Sequence, residues 1–94
     1  MANYKIVYWQ DIPSFVQATE GSEKVKLELS ERSQVLIDAV AMRLGLVGSD
    51  EYVDQWHHGD EENRPGSARE VAQGVVAELE GRFSEFQKSG LGGS

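Results

Sequence analysis

The clearest pattern in the chain is a strict alternation over residues 24–29. Val25, Leu27 and Leu29 are apolar, and Lys24, Lys26 and Glu28 between them are charged. A period of two sends alternate side chains to opposite faces, so this segment predicts a half-buried strand. Tyr4–Trp9 is also short, aromatic and β-branched, which predicts a second strand. Its bulk lies on both faces, with Tyr4, Ile6 and Tyr8 on one and Val7 and Trp9 on the other. Such a strand is central in its sheet, or one face of it meets a partner. Asp11-Ile12-Pro13-Ser14 ends it, because proline cannot donate to a ladder and Asp and Ser support turns. The residues up to Gly21-Ser22 then read as a long connection to Lys24.

Helical periods follow. Val35, Leu36, Ala39, Val40 and Leu44 share one face of a helix that starts after Ser30 as N-cap and stops at Gly45. Ser67-Ala68-Arg69-Glu70 has capping-box spacing. Ala68, Val71, Ala72, Val75, Leu79, Phe83 and Phe86 continue at helical intervals, predicting one long helix. Between the helices, Glu51–His58 reads as a strand from Tyr52, Val53 and Trp56. Ser49-Asp50-Glu51 leaves a short capped helix as the alternative there. Residues 59–66 read as a polar loop.

The predicted order is β-β-α-β-α in one α+β domain over residues 1–88, with a flexible tail at 89–94. A right-handed crossover makes the strand at 24–29 parallel to the one near 51–58, with the first strand between them and antiparallel to both. This predicts a two-layer sandwich: a three-stranded mixed sheet with both helices on one face, because each amphipathic helix must bury its stripe. The other face is left open and carries Lys24, Lys26 and Glu28.

Composition narrows the function. The 94 residues suffice for one modest core and leave little room for a deep catalytic cleft. Nine basic against 16 acidic residues give a net charge of −7. Nucleic acid and anionic membrane surfaces are therefore unfavourable partners. There are no cysteines, so thiolate chemistry is absent and a reducing, cytoplasmic setting is the expectation. No secretory signal or membrane span is visible at the N-terminus or elsewhere.

Two constellations stand out. A tryptophan beside a proline-fixed turn, Trp9 with Asp11, Ile12 and Pro13, forms a pre-organised recognition edge if it is exposed, and ordinary core if it is not. Trp56, Lys24 and Lys26 complete the candidate interaction surface. His57, His58 and Asp60, with Glu61 and Glu62 nearby, supply imidazole and carboxylate donors for a metal. Adjacent histidines on a strand point to opposite faces, which argues against one shared ion. Ser14, Ser22, Ser30 and Ser33 are nucleophile candidates by residue type alone. No G-x-S-x-G, P-loop or dinucleotide glycine pattern accompanies them.

Tyr8-Trp9 with Asp11-Ile12-Pro13, then Gly48-Ser49-Asp50 with Tyr52 and Trp56, then the acidic helix capped by Gly66-Ser67, resembles the small "virulence factor" domain family. The resemblance runs from about Asn3 to Phe86. It implies a short stand-alone bacterial protein, or the C-terminal part of the larger conserved virulence factor C proteins, beside helical repeats and an iron–sulfur scaffold-like domain. It brings no catalytic residue and no cofactor. The expected function is a non-catalytic protein–protein interaction or accessory domain with a protein partner, either a monomer or a weak homodimer. The alternatives are a metal- or ligand-binding protein centred on Trp56, His57, His58 and Asp60, and an accessory subunit of an iron–sulfur or one-carbon enzyme complex.

Overall fold

The computed structural model describes residues 1–90. It runs β1 (Ala2–Trp9), β2 (Ile12–Glu20), β3 (Glu23–Glu28), α1 (Glu31–Arg43), α2 (Asp50–Asp54), β4 (Trp56–His58), β5 (Glu62–Arg64), α3 (Ala68–Gly81) and α4 (Phe83–Gly90). The strands form one five-stranded sheet in the order β3-β2-β1-β4, with β5 also on β1. Every pairing is antiparallel. The class is α+β, as expected, but the three-stranded mixed sheet is not what forms.

The main correction is β2. The proline that was expected to end pairing sits inside it. Pro13 lies opposite Tyr8, where the β1–β2 register slips between Val7 and Tyr8. An irregularity of this kind is where a ladder tolerates a missing donor. The hairpin turns through Gln10-Asp11 alone, with Gln10 at φ 54°, the left-handed region. A second two-residue turn, Gly21-Ser22, leads into β3, with Gly21 at φ 58°. The strand at 23–28 therefore pairs with β2 at an edge, and β1 separates β2 from β4. Three antiparallel steps also make β3 run opposite to β4, not parallel to it.

The other edge is shared. β4 pairs with Val7–Trp9 and β5 with Ala2–Tyr4. Between them the Gly59 amide donates to the Ile6 carbonyl at 2.8 Å. The segment at 51–58 divides into the capped helix α2 and the strand β4, so each of its two readings holds for half of it. The expected polar loop at 59–66 contains β5.

Two cores hold the layers together. Tyr4, Val16, Ala18 and Leu29 pack under Ala68, Val71, Ala72, Val75 and Leu79 of α3. Trp9 and Ile12 pack with Leu36, Ile37, Val40 and Ala41 of α1, at the hairpin end of the sheet. The helices are thus not laid side by side: α3 spans the sheet face, and α1 closes its end. Docking on Trp9 and Ile12 sets α1's inward face. Leu36 and Val40 are buried as expected, whereas Val35, Ala39 and Leu44 are exposed. The long C-terminal helix is two helices, because Arg82 leaves helical geometry at φ −105° and ψ 13°. Phe83 and Phe86 are half-buried, and Phe86 touches both cores. α4 takes in Ser89 and Gly90 from the expected tail, and the remainder of that tail lies outside the described residues. Among the described residues no helix is long and apolar enough to cross a membrane.

The capping box forms as predicted. Ser67 Oγ accepts from the Glu70 amide at 3.1 Å, and Glu70 Oε1 accepts from the Ser67 amide at 3.1 Å. Ser67→Ala is expected to cost about 1 kcal/mol. For a domain of this size that is about 4–8 °C in Tm, readable by circular dichroism.

Candidate functional site: the open face of the sheet

The register of β1, β2 and β3 builds this face row by row. Asn3 pairs with Thr19 and Thr19 with Lys24. Lys5 pairs with Gln17 and Gln17 with Lys26. Val7 pairs with Phe15 and Phe15 with Glu28. The alternate rows, Tyr4-Ala18-Val25 and Ile6-Val16-Leu27, point the other way into the core under α3. A period of two therefore gives β2 one apolar side for α3 and one polar side for solvent.

The chemistry of the open side is unlike the rest of the chain. Of the four lysines in the sequence, Lys5, Lys24 and Lys26 stand here, on a chain of net charge −7. Lys24 and Lys26 are exposed and Lys5 is half-buried. Lys26 Nζ lies 4.3 Å from the centre of the Phe15 ring, which fixes a cation against an aromatic plate. A shallow depression of about 360 Å³ is lined by Asn3, Lys5, Gln17, Thr19, Lys24, Lys26 and the carboxylate-bearing Glu61.

Lys24 and Lys26, expected at an interaction surface, are on this face. The apolar residues of the turn after Trp9 are core and not an exposed edge. Trp9 is 0% exposed, Ile12 is 1% exposed, and Pro13 is also fully buried. The Trp9 indole N–H donates to the Tyr52 carbonyl at 2.9 Å, and its ring leans on Tyr52 at 5.3 Å. Trp56 pairs with Trp9 and is half-buried against the same core. Asp11 alone of that turn is exposed. Lys5, Phe15, Gln17 and Thr19 escaped the sequence reading, because their common face exists only once 12–20 is a strand. The usable signal was the alternation of Val16 and Ala18 with Phe15, Gln17 and Thr19.

The histidines do not converge. His57 pairs with Tyr8 and His58 with Val7, on opposite faces. His57 Nε2 lies 2.6 Å from the Gln10 carbonyl, and its ring stacks on Tyr8 at 5.4 Å. Among the described residues no group of three or more His, Asp or Glu side chains could hold a metal, so His57, His58 and Asp60 do not assemble a site. Ser30 occupies the N-cap of α1 without a side-chain bond, and Ser33 Oγ is buried without a partner.

The model of the virulence factor family matches residues 7–89. The chain belongs to the virulence factor family. No curated protein and no solved structure gave a match. In this virulence factor domain the matched span runs from Val7 through β2 and β3, takes in α1, α2 and α3, and covers α4 as far as Ser89.

The face of β1 turned towards α3 responds to pH. Tyr4 is raised above its ordinary value of 10.0 by burial and by its hydrogen bond to Glu62, opposed by Arg64. Tyr8 is raised by burial, opposed by Arg82. A raised folded value means that the stabilisation is complete below about pH 10 and is lost as pH climbs through the folded values. The virulence factor domain is therefore expected to lose stability above pH 10. Tyr4→Phe should flatten that loss in urea titrations at successive pH values.

Proposed function

We propose that this virulence factor domain is a non-catalytic accessory module that holds a partner protein across the open face of its sheet, through an acidic segment of that partner. The observation that carries the proposal is the gathering of Lys5, Lys24 and Lys26 on the side of the sheet turned away from α3, in a chain of net charge −7. Surface charge of one sign steers a partner of the other and sets its register. Half-buried Phe15 adds an apolar centre to the basic rows, and aromatics are enriched in interface cores.

The experiment is capture from native extract by the wild-type domain and by Lys24→Glu/Lys26→Glu. The specific partner is expected to be retained by the first and lost by the second. Equal retention by both would remove the face from the account.

A further inference from the structure

The large hydrophobic side chains left exposed are not scattered. Apart from Met1, those identified are Val35, Met42, Leu44, Val47 and Val53, all within one short stretch of chain. Met42 is 72% exposed, Val53 65% and Val47 62%. Apolar side chains gathered in one region of a small soluble domain mark a contact surface more often than single ones do.

The structure gives this region a shape. A depression of about 350 Å³ between the second half of α1 and α2 is lined by Asp38, Met42, Val47, Gly48 and Tyr52. Its floor is anchored, because the Tyr52 carbonyl accepts the buried Trp9 indole and its ring lies on Trp9. Gly48, at φ 80°, turns the loop that carries Val47 to the rim. The charge around it is mainly acidic, with Arg43 beside Met42 as the one basic residue on the adjoining turn of α1. The loop and helix from residue 44 to residue 55 carry Asp50, Glu51 and Asp54 and no Lys or Arg. These three carboxylates are on α2, and Asp38 is in the lining itself.

We infer that this cleft between α1 and α2 docks an amphipathic helix of a partner protein, with an apolar stripe for Met42, Val47 and Tyr52 and basic residues for the carboxylate rim. Apolar anchors between helical elements suit a helix laid in a groove. The acidic rim sets the sign of its flanks. A second copy of this chain is the poorer occupant, since it would bring carboxylates against carboxylates at net charge −7 on each side. The cleft is distinct from the lysine face and takes the opposite charge, so either can stand without the other.

The probe is a short, fluorescein-labelled synthetic helix with leucines at i, i+3, i+4 and i+7 and lysines elsewhere, followed by anisotropy. Its counterpart carries glutamates in place of the lysines. The lysine peptide is expected to bind and the glutamate peptide not to. Met42→Asp/Val47→Asp is expected to weaken the lysine peptide by about tenfold or more, the loss of roughly 1.4 kcal/mol or more. Both positions are exposed, so the variant should keep its fold, checked by its Tm. The substitution adds negative charge, so a purely electrostatic attraction would strengthen. Equal or tighter binding by the variant, or no binding by the wild type, overturns the inference. So does a wild-type dimer in sedimentation that the variant dissolves, which would give the cleft to a second copy.

Discussion

Trp9→Ala is expected to take away about 3–5 kcal/mol, the range for emptying a buried aromatic site. A chain of 94 residues holds only about 5–14 kcal/mol in total. The variant should therefore be largely unfolded near body temperature or lose well over 10 °C in Tm, at about 4–8 °C per kcal/mol. The size follows from what Trp9 does. It is wholly buried, it is the largest side chain joining the hairpin tip to α1, and its indole N–H satisfies the Tyr52 carbonyl. Alanine leaves a cavity under Leu36, Ile37 and Val40 and leaves the Tyr52 carbonyl with the Gln55 amide as its remaining donor. Trp9→Phe keeps most of the ring contact and loses the hydrogen bond, so it should cost only about 1–2 kcal/mol. Urea midpoints of the two variants separate the terms. A loss below about 1 kcal/mol for alanine would place Trp9 outside the core.

The second large effect is on binding. Lys24→Glu/Lys26→Glu moves the net charge from −7 to −11, as each reversal subtracts two. Opposite an acidic partner it replaces attraction with repulsion, and a fall of about tenfold to a hundredfold in affinity is expected. The fold should survive. Both side chains are exposed and lie opposite Thr19 and Gln17, which bring no like charge. The loss of Lys26 from the Phe15 ring costs about 0.5–1 kcal/mol. Neutral Lys24→Gln/Lys26→Gln should fall between the wild type and the reversal, and added salt should weaken the wild type most. Unchanged affinity in the reversal would show that the partner rests elsewhere.

The parts of the fold legible in the sequence were those with uninterrupted periods. The alternation at Lys24–Leu29 and the helical stripe from Ala68 to Leu79 both form as their spacing predicts, whereas its continuation to Phe83 and Phe86 lies on a separate helix. β2 was illegible for a definable reason. Pro13 carries a strong breaker signal, and the preceding turn uses Gln10 in the left-handed region, where a glycine would have announced a hairpin. The same gap misplaced Trp9. Without β2 there is no hairpin tip for α1 to close on, and a tryptophan beside a turn looks exposed. Residues 56–64 show a further limit. Polar edge strands such as Glu62–Arg64 owe their form to β1 and carry no periodic signal of their own. At the site, Lys24 and Lys26 were legible from alternation, while Lys5, Phe15 and Gln17 joined them only through the register.

The most direct test of the lysine face is amine labelling read by mass spectrometry, with the domain in native extract and in buffer. Lys5, Lys24 and Lys26 should be protected in extract, while Lys88, exposed on α4 outside the face, labels equally in both. Equal labelling of all four lysines in extract and buffer would contradict the account.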